Sequence, residues 1–256
     1  MPAGLGEFLR SRRERLTPEA VGLPLGRRRR TPGLRREEVA ELAGIGVDWY
    51  IRLEQGRTVR PSVATIDALA VALRLDDTER AHLGLLAQQT VRPLFVRETV
   101  PQAVKAVIAG LDQPAYATGR RWDVLAWNDA ARELFTDFDA RAPEDRNILV
   151  YLLLDPATRK LFGRGWAVMA RHTVAQFRAA HDVWAGDPLF TGLAARLAAG
   201  SPQFRAWWED HDISTGRGSG RKVLHHPTRG TLAYDFANFQ TNDEPAVRLT
   251  VFTPAG

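Results

Sequence analysis

Guanidinium groups that could bind anions are concentrated in the first third of the chain. Residues 1–75 contain 14 Arg, no Lys and 9 acidic residues, whereas residues 76–256 contain 21 basic and 21 acidic residues. The whole net charge of +5 therefore lies in the first third. A local excess of guanidinium groups attracts polyanions, which points to nucleic acid or to another anionic surface. A solvated, arginine-rich face without a partner would give the same count.

The segment Leu34–Gly56, with the sequence LRREEVAELAGIGVDWYIRLEQG, has the residue types that a helix-turn-helix requires. A small residue is needed where the two helices approach each other, and Ala40 fills that position. Four residues later, Gly44 gives the turn a residue that tolerates a positive φ. The apolar side chains that close the pair are Val39, Ala43, Ile45, Tyr50 and Leu53. This pattern favours a helix-turn-helix over an ordinary helical hairpin, which is the alternative.

Five helices are expected to hold this motif in an all-α domain over residues 1–88. Residues 17–33, which are rich in Pro, Gly and Arg, are expected to form a loop between the first two helices. The expected helices are the one that starts at Leu5, those over about 35–43 and 47–55, one capped by Ser62 and one capped by Asp76 or Asp77.

A second domain is expected over residues 100–256, after a linker over 89–99 that shows no clean periodicity. Its expected elements are strands over 115–118 and 121–127, helices between about 130 and 209, and strands over 222–225, 231–238 and 247–252. Strands, central helices and a closing antiparallel group are typical of an α+β domain. The expected fold class is therefore α+β, with the five-helix domain followed by an α+β domain that holds an antiparallel sheet.

The five-helix pattern, the Leu-Glu-x-Gly sequence that ends the third helix, and Arg13 in the first helix resemble Xre-type, phage-repressor-like helix-turn-helix domains. The resemblance covers residues 5–87 and implies that the third helix lies in the major groove of double-stranded DNA. Carried over by position, it implies base contacts from Val47, Asp48, Trp49 and Arg52 and backbone contacts from Arg36, Arg57 and Arg60. Glu54 is expected to pair with Arg13.

Several of these positions have alternatives. Arg52 could contact guanine through two hydrogen bonds, or it could form an i,i+4 ion pair with Asp48. Trp49 could contact a thymine methyl group, or it could pack at a dimer or interdomain surface. Arg36 stands where the related domains usually carry a Gln, and Arg is the stronger phosphate ligand. Because one such domain reads only a few base pairs, a homodimer on a pseudo-palindromic site is expected.

A series of motifs extends along almost the entire chain: LGEFLRSRRERLTPE, TPGLRREEVAELAG, RLEQGR, GRRWDVLAWN, EDRN, SPQFRAWWEDHDI and GRKVLHHP. Within it, Pro114–Phe135 resembles the opening of a PAS domain. The order of these motifs is similar to that of the MmyB-like transcription regulators. The resemblance implies a PAS-like domain that binds an apolar small molecule, a long-chain fatty acid, and thereby controls a sequence-specific DNA-binding regulator.

The residues are compatible with such a ligand. Six of the seven tryptophans lie within residues 122–208, where they could line an apolar cavity or simply fill the core. A carboxylate would need polar donors at the cavity mouth. The candidates are Asn128, Asn147, His211 and Tyr234, with Trp208 as a wall. Asn128 could equally cap a helix, and the whole domain could instead serve only dimerisation or contact with another protein.

Other functional classes find little support in the sequence. The chain has no Cys, which excludes disulfides, thiolate metal sites and a cysteine nucleophile. No phosphate-binding loop, Gly-x-Ser-x-Gly or His-Glu-x-x-His motif occurs, so no enzyme, catalytic residue or cofactor is expected. The pair His225–His226 lacks carboxylates at ligand spacing, so no metal site is expected. Without a signal peptide or a long apolar run, the expected location is the cytoplasm, at the nucleoid, with no membrane partner.

Overall fold

The computed structural model of the chain describes residues 3–24, 31, 33–57, 61–88, 94–214 and 218–256. The chain divides into two compact units, residues 1–94 with 181–191 and residues 95–180 with 192–256. The domain boundaries that the sequence predicts, at 88 and 100, stay a prediction. Among the described residues, no helix is both long and apolar enough to cross a membrane.

The first unit holds the predicted five-helix pattern. Its helices are α1 (Ala3–Arg15), α2 (Arg36–Leu42), α3 (Val47–Glu54), α4 (Val63–Ala72) and α5 (Asp77–Gln88), with a short 3₁₀ turn at Glu19–Val21. Their apolar faces meet in a core where Leu9, Tyr50, Leu69 and Leu83 are fully shielded from solvent. This arrangement confirms the all-α fold expected for this part of the chain.

The predicted capping residues begin α4 and α5. The hydroxyl oxygen of Ser62 accepts a hydrogen bond from the backbone N–H of Thr65 at 3.2 Å. The carboxylate of Asp76 accepts from the N–H of Glu79 at 2.8 Å, and the Glu79 carboxylate accepts from the N–H of Asp76 at 3.2 Å. These bonds satisfy N–H groups that the first turn of a helix leaves unpaired, which fixes where each helix begins.

The turn between α2 and α3 has the conformation that its sequence predicts. Gly44 has φ = +64°, a left-handed conformation that a residue with a Cβ adopts only at a cost. The N–H of Ile45 then donates to the carbonyl of Ala40 at 2.9 Å, which closes α2. Ala40 itself is fully buried, as expected for the small residue at the approach of the two helices. The turn thus fixes the direction in which α3 leaves α2.

The second unit is α+β. Its elements are α6 (Gln102–Gly110), β1 (Ala115–Thr118), β2 (Val124–Trp127), α7 (Asp129–Leu134), α8 (Ile148–Leu154), α9 (Ala157–Phe162), α10 (Trp166–Val183), α11 (Pro188–Gly200), α12 (Pro202–Glu209), β3 (Ser219–His226), β4 (Gly230–Gln240) and β5 (Arg248–Pro254), of which α10 and α11 each have one end in the first unit. The five strands form one antiparallel sheet in the order β2-β1-β5-β4-β3. The α+β class with an antiparallel sheet is therefore confirmed.

The two faces of the sheet have different neighbours, because side chains alternate along each strand. One face presents Ala115 and Ala117, which pack with Val247, just before β5, and Ile108 of α6 in a small apolar cluster. The opposite face presents Tyr116 and Thr118 of β1. Strand pairing sets Thr250 beside Tyr116 and Arg248 beside Thr118, so β5 adds its own polar side chains to that face.

One strand starts later than its sequence predicts. A strand over 121–127 is expected, but β2 starts at Val124 because the chain is still turning at Trp122, where φ is +65°. The N–H of Trp122 donates to the carbonyl of Gly119 at 3.0 Å, and the N–H of Gly119 donates to the carbonyl of Asp123 at 3.1 Å. Trp122 is an aromatic residue of a type common in strands and is followed by the apolar run of β2, which explains the difference.

Candidate functional site

The exposed face of α3 is the candidate DNA-reading surface. Asp48 and Arg52 are exposed, whereas Val47 and Trp49 are half-buried. Gln55, at the C-cap position, is also exposed and continues the row at i, i+4 and i+7. A Gln amide can form two hydrogen bonds with adenine, and Gln55 was not predicted from the sequence although its helical spacing indicates the same face. The structure thus brings the predicted base-reading residues together on one helix.

Arg52 is available for contacts outside the chain. Among the described residues, no ion pair joins its guanidinium to Asp48, although the two side chains are one helical turn apart. Exposed i,i+4 pairs contribute only about 0.3–0.5 kcal/mol, so their absence costs little. The guanidinium therefore keeps its five donors for solvent or for a bound polyanion.

The predicted pair of Glu54 and Arg13 is confirmed and extended by a third residue. Arg13 donates from Nε and Nη2 to Oε1 of Glu54 at 2.8 and 2.6 Å, and from Nη1 to the carbonyl of Leu34 at 2.9 Å. Arg36 donates from Nε to Oε2 of the same carboxylate. Both Glu54 and Arg13 are buried, so this bridge ties α1, α2 and α3 together.

The predicted phosphate ligands have different surroundings. Arg36 shares Glu54, but its side chain is still 41% exposed, which leaves its outer nitrogens open to solvent. Arg57 is exposed, and no partner for its side chain is found within the described part of the chain. Arg60 lies outside the described residues. Arg10 and Arg35, which were not predicted from the sequence, line one open cleft together with Arg36.

A cavity in the second unit is the candidate ligand site. It encloses about 140 Å³ and is called the sheet cavity below. The polar face of the sheet forms one side of it, with Tyr116, Thr118, Lys222, Phe236, Asn238, Arg248 and Thr250. Helices and loops supply the other side, with Trp122, Phe135, Phe138, Ile148, Tyr151, Leu152, Phe162, Met169, His172, Thr173 and Gln176.

Regular secondary structure explains why these residues meet. Met169, His172, Thr173 and Gln176 follow each other at i, i+3, i+4 and i+7 on α10, which places them on one helical face. On the sheet, β1, β4 and β5 each contribute two lining residues that are two positions apart, and therefore on the same face of the strand. The wall is therefore a helix face opposed to a sheet face, with aromatic rings between them.

Two cations lie in this wall without an opposing charge. Lys222 Nζ lies 4.7 Å from the ring centroid of Phe236, 5.2 Å from that of Phe252 and 6.0 Å from that of Phe162. Arg248 Cζ lies 5.9 Å from the ring centroid of Trp122. In the described ranges, no carboxylate lines the cavity, and neither cation forms an ion pair. The rings offset part of the lost hydration through cation–π attraction.

Burial changes the acidity of these groups. It lowers the pKa of Lys222 to about 8, and it also lowers the pKa of Arg248. Burial raises the pKa of Tyr116 to about 12, although a hydrogen bond with Thr250 and the charge of Arg248 act in the opposite direction. Tyr116 is thus a neutral hydroxyl at neutral pH, beside an arginine that stays charged. The cavity combines an apolar wall, positive charge and hydroxyl groups.

Asn128 and Asn147, two of the predicted ligand-binding residues, hold helix ends. The side-chain oxygen of Asn128 caps α7 by accepting from Ala131 N–H at 2.9 Å. The side-chain oxygen of Asn147 caps α8 by accepting from Leu149 N–H at 2.9 Å. Both asparagines are buried, and neither lines the sheet cavity. Their contact with a ligand stays a prediction.

The other three predicted ligand residues also lie outside the lining of the sheet cavity. Trp208 stacks on Phe204 with 5.0 Å between ring centroids, and the guanidinium of Arg178 lies 4.6 Å above it. His211 follows α12 in a left-handed conformation with φ = +52°. Tyr234 lies on the same face of β4 as the lining residues Phe236 and Asn238, two positions before Phe236, and its side chain is buried.

Lys222 and Arg248 were missed in the sequence because neither belongs to a recognisable ligand-binding motif: Lys222 follows the exposed Arg221, and Arg248 lies between two apolar residues. Their only signal is period-two alternation, which puts a cation on the same face as aromatic or apolar neighbours. A basic residue at such a position is expected to face solvent, unless it is known that other elements pack over that face of the sheet. In the described part of the chain, no group of three or more His, Cys, Asp and Glu side chains could hold a metal ion.

Two family models match the chain. The model of the MmyB-like transcription regulator ligand binding domain matches residues 100–256. The model of a helix-turn-helix domain matches residues 5–83. None of the curated proteins compared with the chain matches it. The first match covers more than half of the chain and contains every residue that lines the sheet cavity.

Proposed function

The chain belongs to the MmyB-like transcription regulators, and on that premise we propose that an amphipathic acid, a long-chain fatty acid, binds in the sheet cavity and controls binding of the first unit to DNA. The observation that carries the choice of ligand is the pair of cations, Lys222 and Arg248, in a wall made mostly of apolar and aromatic side chains. The architecture of a helix-turn-helix with a ligand-binding domain supports a ligand-responsive regulator that is not an enzyme.

The chemistry of the wall selects the class of ligand. An alkyl chain gains free energy by leaving water for the aromatic and aliphatic side chains, at about 0.8 kcal/mol per buried CH₂ group. A carboxylate gains charge-assisted hydrogen bonds from Arg248 and Lys222, and the ligand's charge replaces the counter-ion that the described wall lacks. A basic ligand would meet two like charges in the same cavity. The wall therefore favours an acid over an amine or a neutral lipid.

Replacing Arg248 with Met tests the head-group assignment. We expect the dissociation constant of dodecanoate to rise by roughly tenfold to a hundredfold, because a hydrogen bond to a charged group contributes about 1.5–3 kcal/mol. Binding of dodecanol, which has no carboxylate, should change much less. Isothermal titration calorimetry with the full chain measures both ligands.

Arg171 supplies the matched control. It lies on α10 beside the lining residue His172, but its side chain is 53% exposed and pairs with Asp210 and Asp212 at 3.0 Å. Arg171→Met should therefore leave the affinity for dodecanoate close to that of the natural chain. If Arg171→Met weakens the binding of dodecanoate as much as Arg248→Met does, general loss of positive charge explains the result and the assignment of Arg248 to the head group fails. Equal affinity of the natural chain for dodecanoate and dodecanol would also contradict it.

We further propose that α3 reads DNA, with Arg52 as the principal base reader and Arg57 as a backbone ligand. The exposure of both side chains and the absence of described partners support this division of roles. Val47, Asp48 and Trp49 complete the reading surface, and Arg36 and Arg60 complete the phosphate contacts. A single module buries about 600–1,000 Å², so the proposal includes a homodimer that occupies two inverted half-sites.

Replacing Arg52 with Ala tests this assignment on DNA selected in vitro from a random pool. We expect the preference at one base pair of each half-site to weaken by about 1–3 kcal/mol, because a bidentate contact to guanine is lost. Competition binding against single-base variants of the selected site measures it. Arg57→Ala is the control, since loss of a phosphate contact weakens all sequences about equally and reduces the salt dependence. Uniform weakening by Arg52→Ala would show that Arg52 binds the backbone instead.

A further inference from the structure

Lys222 is the primary amine in the wall of the sheet cavity. The chain has 35 basic residues, and three of them are lysines: Lys105, Lys160 and Lys222. Lys105 and Lys160 are exposed, whereas Lys222 is half-buried and directed at the cavity from β3. An arginine at this position would give an acid the same positive charge, but it would not give the cavity a nucleophile.

The surroundings of Lys222 raise the fraction of neutral amine above that of an exposed lysine, although the ammonium form still predominates at neutral pH. Three phenylalanine rings have their centroids within 6.0 Å of Nζ, and no carboxylate lines the described wall to stabilise the ammonium form. Desolvation without a counter-ion disfavours the charged form, which agrees with the lowered pKa of about 8. A lysine in an apolar pocket whose pKa approaches neutrality is a nucleophile for carbonyl compounds.

We propose that the amine of Lys222 captures long-chain aldehydes in the sheet cavity as a reversible imine. The inference rests on the proposed function only in taking the sheet cavity as the ligand site. It adds a second class of ligand, the aldehydes, which a covalent bond to Lys222 would hold in the cavity instead of an ion pair.

The step balances without an oxidant or a reductant. The lone pair of Nζ attacks the carbonyl carbon and forms a C–N bond, which gives a carbinolamine. That intermediate loses its oxygen and two hydrogens as water, and a C=N double bond remains. Tyr116 carries a hydroxyl group and His172 an imidazole in the same wall, near the departing oxygen, whereas the Thr250 hydroxyl already donates to Asn238 at 2.7 Å. An apolar wall also limits the water that would hydrolyse the imine.

Reductive trapping on the full chain tests the inference. The probe is dodecanal with cyanoborohydride, which converts an imine into a stable secondary amine. Intact mass spectrometry is expected to show an added dodecyl group, and peptide mapping is expected to place it on Lys222, separately from any adduct on the N-terminal α-amine, whose ordinary pKa of about 7.7–8.0 also makes it reactive. Lys105 and Lys160 serve as internal controls in the same sample, because exposed lysines are charged at neutral pH and should react far less. Adduct spread over all three lysines, or confined to the exposed two, overturns the inference.

Two variants sharpen the result. Lys222→Arg should abolish the adduct, whereas Lys105→Arg should leave its amount unchanged. Circular dichroism of Lys222→Arg shows whether the variant is folded, and if it is not, the peptide map of the natural chain alone decides. Dodecanoate binding separates this inference from the proposed function. If dodecanoate binds and no adduct forms, the imine is wrong and the acid ligand stands. If an adduct forms on Lys222 and dodecanoate does not bind, the imine stands and the acid is wrong.

Discussion

Replacing Glu54 with Ala is expected to lower the free energy of unfolding of the first unit by about 3–5 kcal/mol, since removal of one partner of a buried ion pair leaves the other uncompensated. The side chains of Glu54 and Arg13 are 1% and 3% exposed. Without Glu54, Arg13 keeps the Leu34 carbonyl and a contact with Glu14 at 3.3 Å. Neither replaces the two short hydrogen bonds that the Glu54 carboxylate accepts from the same guanidinium.

Hydrogen exchange is the suitable measurement, because a chain with two compact units need not unfold in one transition. Backbone amides of α1 and α3 report the opening free energy of the first unit directly. Glu14→Ala is the matched control: it also removes a carboxylate from Arg13, but that side chain is 33% exposed and its pairs should contribute less than about 1 kcal/mol. If the two variants lose similar, small amounts of protection, the bridge does not stabilise the unit as proposed.

The Glu54 bridge also shows what sequence could and could not predict in the first unit. The pair with Arg13 was predictable, because both positions belong to a motif whose helices have a known arrangement. The participation of Arg36 was not predictable, since its side chain can turn either to Glu54 or towards a phosphate. In both positions the guanidinium donates to an anionic oxygen. Local sequence fixes the helix that carries a long side chain, but not the direction in which that side chain points.

In the second unit, the strands were predictable and the cavity was not. Alternating residue types in 115–118, 222–225 and 231–238 indicated strands that the structure contains within β1, β3 and β4. The cavity depends on which strands are neighbours and in which register, and the β1–β5 pairing joins residues more than a hundred positions apart. Thr118 and Arg248 become adjacent only through the β1–β5 pairing. No local pattern carries that information.

The asparagines are a second case in which the sequence does not determine the role of a side chain. A short polar side chain in an apolar stretch looks alike in sequence whether it caps a helix, satisfies buried backbone or meets a ligand. Asn147 donates to the carbonyl of Arg121 at 2.8 Å and to Asp123 at 3.1 Å, besides capping α8. These partners lie in the β1–β2 turn, which the sequence could not place beside α8. Its hydrogen-bonding capacity is thus used inside the fold.

Replacing Asn128 with Ala is expected to lower the free energy of unfolding of the second unit by about 3–5 kcal/mol, as a lost cap and newly unpaired buried groups add together. The side-chain oxygen accepts from the N–H groups of Ala115 and Ala131 at 3.0 and 2.9 Å. The side-chain nitrogen donates to the carbonyls of Leu111 and Gln113 at 2.9 and 2.7 Å. One amide therefore joins the end of α6, the start of β1 and the start of α7.

Ser201→Ala is the control for this effect, because Ser201 is equally buried and caps α12 through one hydrogen bond, to the N–H of Phe204 at 3.1 Å. Loss of this cap should lower the free energy of unfolding by about 1 kcal/mol. Hydrogen exchange measures both variants, on amides of β1 and α7 for Asn128→Ala and on amides of α12 for Ser201→Ala. Equal effects of the two variants would mean that the three further bonds of Asn128 contribute little.

The same variant separates the two roles that the sequence left open for Asn128. A ligand that binds only the folded state stabilises it by RT ln(1 + [L]/Kd), whatever the stability without ligand. If Asn128 acts through the fold alone, saturating dodecanoate should protect Asn128→Ala by as much as it protects the natural chain. If Asn128 also holds the carboxylate, that added protection should shrink in the variant. Because all four of its hydrogen bonds are already made inside the chain, we expect the added protection to persist and the head group to depend on Arg248 and Lys222.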